Sequence, residues 1–202
     1  MPSRSYQQYC ALARTLDVIG DRWSMLIVRN LILGPQRWSE LRRDLPGVAK
    51  NLLATRLAQL EEDGVVVQTE SGYQLTPRGA ELEAAIFALA RWGEGHCMGP
   101  SREGESMRLR YLMTSARRRL KPSELEAQVQ LWVEETPFSV TLGISPTVSQ
   151  GESTAAAVVR CGIPGMRALV FGEADARMLL KGGLITAEGD DAAVQAMVQA
   201  WR

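Results

Sequence analysis

The sequence predicts an α+β protein of two domains, on three observations. Up to residue 96 the apolar residues recur mainly at helical spacing, with one pair of short alternating runs near residue 70. Residues 93–107, GEGHCMGPSREGESM, are rich in glycine and small polar residues and break every period. Beyond them, alternating runs and amphipathic helical stretches are mixed, the pattern of a small sheet with helices laid on it. The expected division is 1–96, a linker at 97–107, and 108–202.

From Asp21, DRWSMLIVRNLILG places Trp23, Leu26, Ile27 and Leu31 at helical spacing and stops at Gly34-Pro35, a helix end followed by a breaker. Ser39 is placed to cap a short helix, SELRRDL, with Arg42 and Arg43 outward, ending before Pro46-Gly47. AKNLLATRLAQLEEDG then repeats Leu53, Leu57 and Leu60 along one face and ends at Gly64, suited to a left-handed C-terminal cap. VVVQTESGYQLT reads as two short strands around the turn dipeptide Ser71-Gly72. Pro77 opens a further helix with an apolar stripe of Leu82, Ala85, Ile86, Leu89 and Trp92. Compact helices followed by a two-stranded wing are the layout of a winged helix-turn-helix, whose last helix before the wing enters the DNA major groove. In the second domain an Arg-rich helix is expected around 108–121. EAQVQLWVEE, FSVTLGI, AAAVVRC and MRALVFG follow as strands, and EADARMLLKG and DDAAVQAMVQAW as helices with LITAEG between them.

Composition narrows the function. Twenty-three basic residues balance twenty-three acidic ones, with eleven of each before residue 98, so DNA binding has to rest on local placement of charge. Twenty of the basic residues are arginine, the side chain suited to bidentate contact with phosphate and guanine. No apolar run approaches the ~18 residues of a membrane helix, and MPSRSYQQYC lacks an apolar signal core; the expectation is a cytoplasmic protein without membrane contact. Cys10, Cys97 and Cys161 show no C-x-x-C spacing, and His96 is the single histidine, so neither a metal site nor a histidine-based triad is expected. Asp190-Asp191 reads as a helix cap, Glu61-Glu62-Asp63 as a solvated acidic run, and Gly93–Gly95 as linker. The reading is therefore of a non-enzyme with no cofactor.

With Leu53, Leu57 and Leu60 inward, Lys50, Asn51, Ala54 and Thr55 fall on the outer face near the N-terminus of the third helix. Asn pairs with adenine, Lys donates to guanine, and Thr reaches phosphate or a thymine methyl. Arg37, Ser39, Arg42 and Arg43 sit where the preceding helix would cross the backbone, and Arg56 lies on the flank, as a phosphate contact or an intradomain ion-pair partner.

LDVIGDRWSMLIVRNLILGPQRWSELRRDLPGV, LLATRLAQLEEDGVV and YQLTPRGAEL, with Cys10 ahead of them, resemble the HxlR-type winged-helix transcription regulators of bacteria. The resemblance covers nearly half the chain and rests on Gly20-Asp21-Arg22-Trp23, W-S-E-L and L-x-x-L-E-x-D-G. It implies a homodimer on double-stranded DNA, joined through the helix carrying Leu82, Ile86, Leu89 and Trp92 and through the N-terminal helix. It also places Cys10 where some members carry a redox-active thiol; a plain buried cysteine is the alternative. The resemblance implies minor-groove contact by the wing, and QTESGY, shorter than the Pro-rich wing usual in the family, leaves that contact open.

MRALVFGEADARMLLKGGLITAEGDDAAVQAMVQAW resembles the sterol-carrier-protein-like domain fused behind such regulators. That resemblance implies an apolar tunnel for a small lipid-like ligand, with Met166, Leu169, Phe171, Met178, Leu179, Leu184, Met197 and Trp201 as its candidate lining; a closed core is the alternative. The functional expectation is a regulator binding an inverted-repeat operator as a homodimer, with a small apolar ligand as its candidate effector. The rival is a lipid carrier whose winged helix serves as a protein-interaction module.

Overall fold

The computed structural model describes residues 5–105, 107–172 and 176–201. The chain divides into two compact units, Met1–Ser106 and Met107–Arg202.

The first unit runs α1 (Ala11–Ile19), α2 (Ser24–Leu31), α3 (Trp38–Asp44), α4 (Lys50–Glu62), β1 (Val66–Thr69), β2 (Gly72–Leu75), α5 (Pro77–Ala80) and α6 (Leu82–His96). Ile27 and Val28 of α2, Leu41 and Leu45 around α3, and Leu53, Leu57 and Leu60 of α4 lie in one buried cluster. Each fully buried aliphatic side chain contributes about 1.5–3 kcal/mol. Leu26 departs from expectation: it is solvent-exposed, because α2 buries the faces of Ile27, Val28 and Leu31 on a helix of only two turns. The cap of α3 also lies elsewhere. Arg37, not Ser39, is the N-cap residue, and its N–H donates to Glu40 Oε2 at 2.7 Å.

Gly64, at φ 67°, ends α4 as expected. The wing turn is Glu70-Ser71, one residue earlier than the sequence suggests, and Gly72 belongs to β2. The helix after the wing comes in two pieces. Thr76 Oγ1 accepts from Gly79 N–H at 3.0 Å and donates to Gly64 O at 2.7 Å, fixing the short α5 before α6 begins. Residues 93–96, expected to be irregular, are the last turn of α6, which buries Ile86 and leaves Leu89 and Trp92 exposed.

The second unit contains α7 (Leu109–Arg119), β3 (Ala127–Val133), β4 (Thr136–Leu142), β5 (Thr147–Gln150), β6 (Ala157–Cys161), α8 (Ile163–Phe171), α9 (Ala176–Lys181), β7 (Ile185–Gly189) and α10 (Asp191–Ala200). Its sheet has the order β5-β4-β3-β6-β7, with β3 and β6 parallel and the other neighbours antiparallel. Val129, Leu131 and Val133 alternate inward on β3, and the register sets Val140 and Phe138 of β4 beside the first two. On the opposite face Gln130 is buried and polar. It is satisfied by Phe138 O at 3.0 Å and by Ser153 N–H at 2.8 Å, which ties down the 151–156 connection that must cross from the β5 edge to β6.

MRALVFG, expected as a strand, is helical and forms most of α8. Gly162 as N-cap, Pro164 in the first turn and Gly172 at φ 66° after the last turn are a complete set of helix start and stop signals around an apolar run too short for its period to decide. Strand β5 was not expected, being four residues of Thr, Val, Ser and Gln. The start of the EADARMLLKG helix, residues 173–175, lies outside the described residues; from Ala176 the helix is present. Asp190 caps α10 as expected, accepting from Ala192 N–H at 2.8 Å.

Candidate nucleic-acid interface

Helices α3 and α4 and the turn between them present one polar face. Leu41, Leu45, Val48 and Leu53 are buried beneath the turn, and Gly47 takes φ 89°, which lets the chain reverse between the helices. Arg37, Ser39, Arg42 and Arg43 are exposed on the α3 side, and Lys50, Asn51, Ala54 and Thr55 on the α4 side. Trp38, Ser39, Arg42 and Arg43 line a shallow depression of about 300 Å³. The Arg42 guanidinium lies 5.8 Å from the Trp38 ring centroid, and Arg43 Nε is 3.4 Å from Asp44 Oδ1.

The N-terminus of α4 is open. Its N-cap is Ala49, which offers no capping side chain, and its first turn holds no acidic residue. The free N–H groups and the positive end of the helix dipole therefore add to the charge of Lys50, the arrangement that receives an anion. Thr55 Oγ1 donates to Asn51 O at 2.9 Å, so its methyl is the part left for an outside partner.

Arg56 faces elsewhere. Its guanidinium is ion-paired with Asp21 in the connection between α1 and α2, with its side chain 18% exposed. Of the two roles the sequence allowed it, the ion pair is the one present. Its partner was not foreseeable: the two residues are 35 positions apart and no local pattern links them.

The wing is bound to the helix-turn-helix by its backbone. Gln36 N–H donates to Tyr73 O at 2.9 Å and Tyr73 N–H to Gln36 O at 2.8 Å, an isolated bridge that adds the segment before α3 to the hairpin. Gln36 Nε2 also donates to the buried Asp44 at 2.8 Å, joining the two ends of α3. Burial, and then Glu61, push the Tyr73 phenol above its ordinary pKa, so it stays neutral. Gln36, Asp44 and Tyr73 had no sequence signal. The wing itself, Val66–Leu75, carries Glu70 and no lysine or arginine.

The remaining candidates are scattered. Cys10 is exposed as the N-cap residue of α1, and Cys97 is exposed after α6. Burial, with Glu134 second, raises the Cys161 thiol to about 12. Of the candidate tunnel residues, Met166, Leu169, Leu179, Met197 and Trp201 are buried, and Trp201 Nε1 donates to Ala116 O at 2.9 Å. Phe171, Met178 and Leu184 are exposed, and Arg119 lies over the Phe171 ring at 5.0 Å. The eight thus fall in two environments, five in the core and three on the surface. Among the described residues no group of three or more His, Cys, Asp or Glu is placed to hold a metal ion, and no helix is long and apolar enough to cross a membrane.

A buried apolar helix-turn-helix with a cationic outer face and a bound wing defines a DNA-binding regulator of the helix-turn-helix class. Residues 18–101 match the model of the HxlR-like helix-turn-helix family. The chain is 34% identical over 94 residues to the HTH-type transcriptional regulator YybR of Bacillus subtilis (strain 168), covering 43% of this chain and 75% of the relative. It is 35% identical over 96 residues to the HTH-type transcriptional regulator YtfH of Escherichia coli (strain K12), covering 44% of this chain and 76% of the relative. Among solved structures, the quinone-bound YodB from B. subtilis is similar at 30% identity and a TM-score of 0.40, over 42% of this chain and 96% of that one. The chain belongs to the HxlR-like helix-turn-helix family.

Proposed function

We propose that the protein regulates transcription by binding a short inverted-repeat operator as a homodimer, with α4 of each copy in the major groove. The observation that carries this reading is the set of exposed Lys50, Asn51 and Thr55 at the uncapped N-terminus of α4, flanked by exposed Arg37, Ser39, Arg42 and Arg43. Asn51 is the adenine reader, Lys50 the guanine donor and Thr55 the methyl contact, while the α3 residues hold phosphate. Two half-sites about one helical turn apart need two reading helices, hence two copies. Leu12 on α1 and Leu89 and Trp92 on α6, all more than half exposed, are the apolar surface for that pairing. In vitro selection from randomised duplex DNA, followed by gel-shift titration at rising salt, tests the proposal. A selected palindromic motif whose binding weakens steeply with salt supports it, and enrichment of no sequence refutes it.

The C-terminal unit is read as a sterol-carrier-like module that modulates DNA binding through a small apolar ligand. A five-stranded sheet packed with helices and the exposed Phe171, Met178 and Leu184 favour this reading. They equally favour its rival, a ligand carrier whose winged helix engages protein. Displacement of a fluorescent fatty acid, measured with and without the selected duplex, separates the two: a regulator's two ligands change each other's affinity, and a carrier's do not.

A further inference from the structure

The fully buried residues of α4, Leu53, Leu57 and Leu60, form a single stripe along one side of the helix, with the partly buried Leu52 packed beside it. A single stripe fixes how deep a helix sits and opposes only weakly its rotation about its own axis. That rotation matters for reading DNA. At a side-chain radius of about 5–6 Å, a roll of about 20° displaces an outward side-chain tip by ~2 Å, more than the tolerance of a hydrogen bond.

Two charged side chains tether the flanks of α4: Glu61 in its last turn accepts from Gln68 N–H of β1 at 3.0 Å, and in its middle Arg56 is ion-paired with Asp21. Arg56 lies about 40° around the helix from Leu60 and about 60° from Leu53, but about 100° from Thr55, on the flank that borders the core stripe. Asp21 belongs to a different piece of chain and is itself held, its carbonyl accepting from Ser24 N–H at 3.0 Å. The pair is thus a lateral strut between the α1–α2 corner and the middle of the reading helix. The arginine end is shielded, with Arg56 Nε buried and without a hydrogen-bond partner among the described residues; Arg56 Nη1 also donates to Gln59 Oε1, a neutral group, so Asp21, itself 37% exposed, is the anion that compensates the guanidinium.

We propose that Asp21 is a positioning residue for DNA specificity: through Arg56 it sets the roll of α4 and so decides which base edges Lys50, Asn51 and Thr55 meet. The inference rests on the DNA-binding reading above. It also assigns the aspartate of the Gly20-Asp21-Arg22-Trp23 phrase a task that its position outside both α3 and α4 does not suggest. If instead Arg56 were a phosphate contact held in check by Asp21, removing the aspartate would free a cation and tighten binding to every duplex alike.

The test uses the full chain, a duplex selected by the wild type from a randomised library, and random-sequence duplex of the same length. Wild type, Asp21→Asn, Asp21→Glu and Arg56→Gln are compared for the ratio of the two affinities, with circular dichroism and melting curves to confirm folding. The expected result is a ratio about tenfold lower in Asp21→Asn and Arg56→Gln, the equivalent of one lost base contact, with random-duplex affinity little changed. Asp21→Glu, which keeps the carboxylate, recovers most of the ratio. Should Asp21→Asn fail to fold, Arg56→Gln and Asp21→Glu carry the same comparison. A folded variant with the wild-type ratio overturns the proposal, and so does equal tightening on both duplexes. A wild type that selects no sequence overturns the DNA-reading proposal itself and takes this one with it.

Discussion

Replacing Gly72 by alanine tests how the wing is held. Gly72 sits at φ 118°, a conformation closed to L side chains, and a Cβ built on it would lie 2.4 Å from Gln36 O, 2.5 Å from Gln36 C and 2.8 Å from Arg37 N. All three are backbone atoms, so no side chain can swing aside. Relief requires the Gln36 segment to move off the hairpin, which breaks the two backbone hydrogen bonds between Gln36 and Tyr73. The strained backbone costs about 1–3 kcal/mol, and each lost hydrogen bond about 1 kcal/mol, for a total of about 3–5 kcal/mol. Urea unfolding followed by circular dichroism reads this as a lower midpoint at unchanged slope. Gly93→Ala is the internal control: it lies within α6, its Cβ would meet no described heavy atom within 4 Å, and it should stabilise by about 0.5–1 kcal/mol. A Gly72→Ala loss below about 1 kcal/mol would refute the claim that the bridge fixes the wing.

Asn51→Ala is expected to lower affinity for the selected duplex by about 1–3 kcal/mol and leave random duplex nearly untouched, whereas Arg42→Ala, which removes one cation from each copy of the dimer, lowers both and reduces the salt slope by about 2. Gel-shift titrations on the two duplexes check this, and unchanged selectivity in Asn51→Ala would remove it from the base-reading set. Trp92→Glu, on an exposed position of α6, is expected to leave the fold intact and shift the protein to monomer in light scattering at micromolar concentration. Thiol titration at pH 8 should show Cys10 and Cys97 reacting in the folded protein and Cys161 only on unfolding. Because the folded Cys161 holds its proton to about 12 against an ordinary 9.0, its share of stability is present below about pH 9 and is lost as pH rises toward 12; three fast thiols would contradict this. Leu184→Trp, on an exposed side chain, should cost less than about 0.5 kcal/mol, and Leu169→Trp, in the core, about 1–3 kcal/mol by urea unfolding.

The N-terminal unit was legible because its signals are local. The stripe of Leu53, Leu57 and Leu60, the stop at Gly64 and the entry at Pro77 each lie within a few residues of what they determine. What escaped is what folding brings together from a distance: Gln36 against Tyr73, and Asp21 against Arg56. In the second unit the misread element was α8, where Met166–Phe171 is apolar at nearly every position and has no period to read; the informative residues were Pro164 and Gly172 at its ends. The helix also accounts for the exposure of Phe171 among the candidate tunnel residues. On a strand Leu169 and Phe171 would share a face opposite Met166, whereas on a helix Met166 and Leu169 turn into the core and Phe171, at the last turn, turns out.

The placement of charge gives the wing its role. The whole chain is electrically neutral, and the exposed cations of the proposed DNA face are Arg37, Arg42, Arg43 and Lys50, all on α3, α4 or the residue before α3. The wing carries Glu70 and no lysine or arginine, so on the proposed reading it supplies no phosphate-neutralising charge. Its attachment runs the other way, to Gln36, the residue immediately before Arg37. The hairpin therefore acts as a brace: it holds the entrance of α3 in extended conformation, and with it the exposed Arg37. The proposed dimer would present four such cations per copy, and with each neutralising one phosphate the logarithm of its affinity would fall with the logarithm of salt at a slope of about −7. A slope much steeper than that would require phosphate contacts from outside α3 and α4, and would return the wing or the C-terminal unit to the DNA surface.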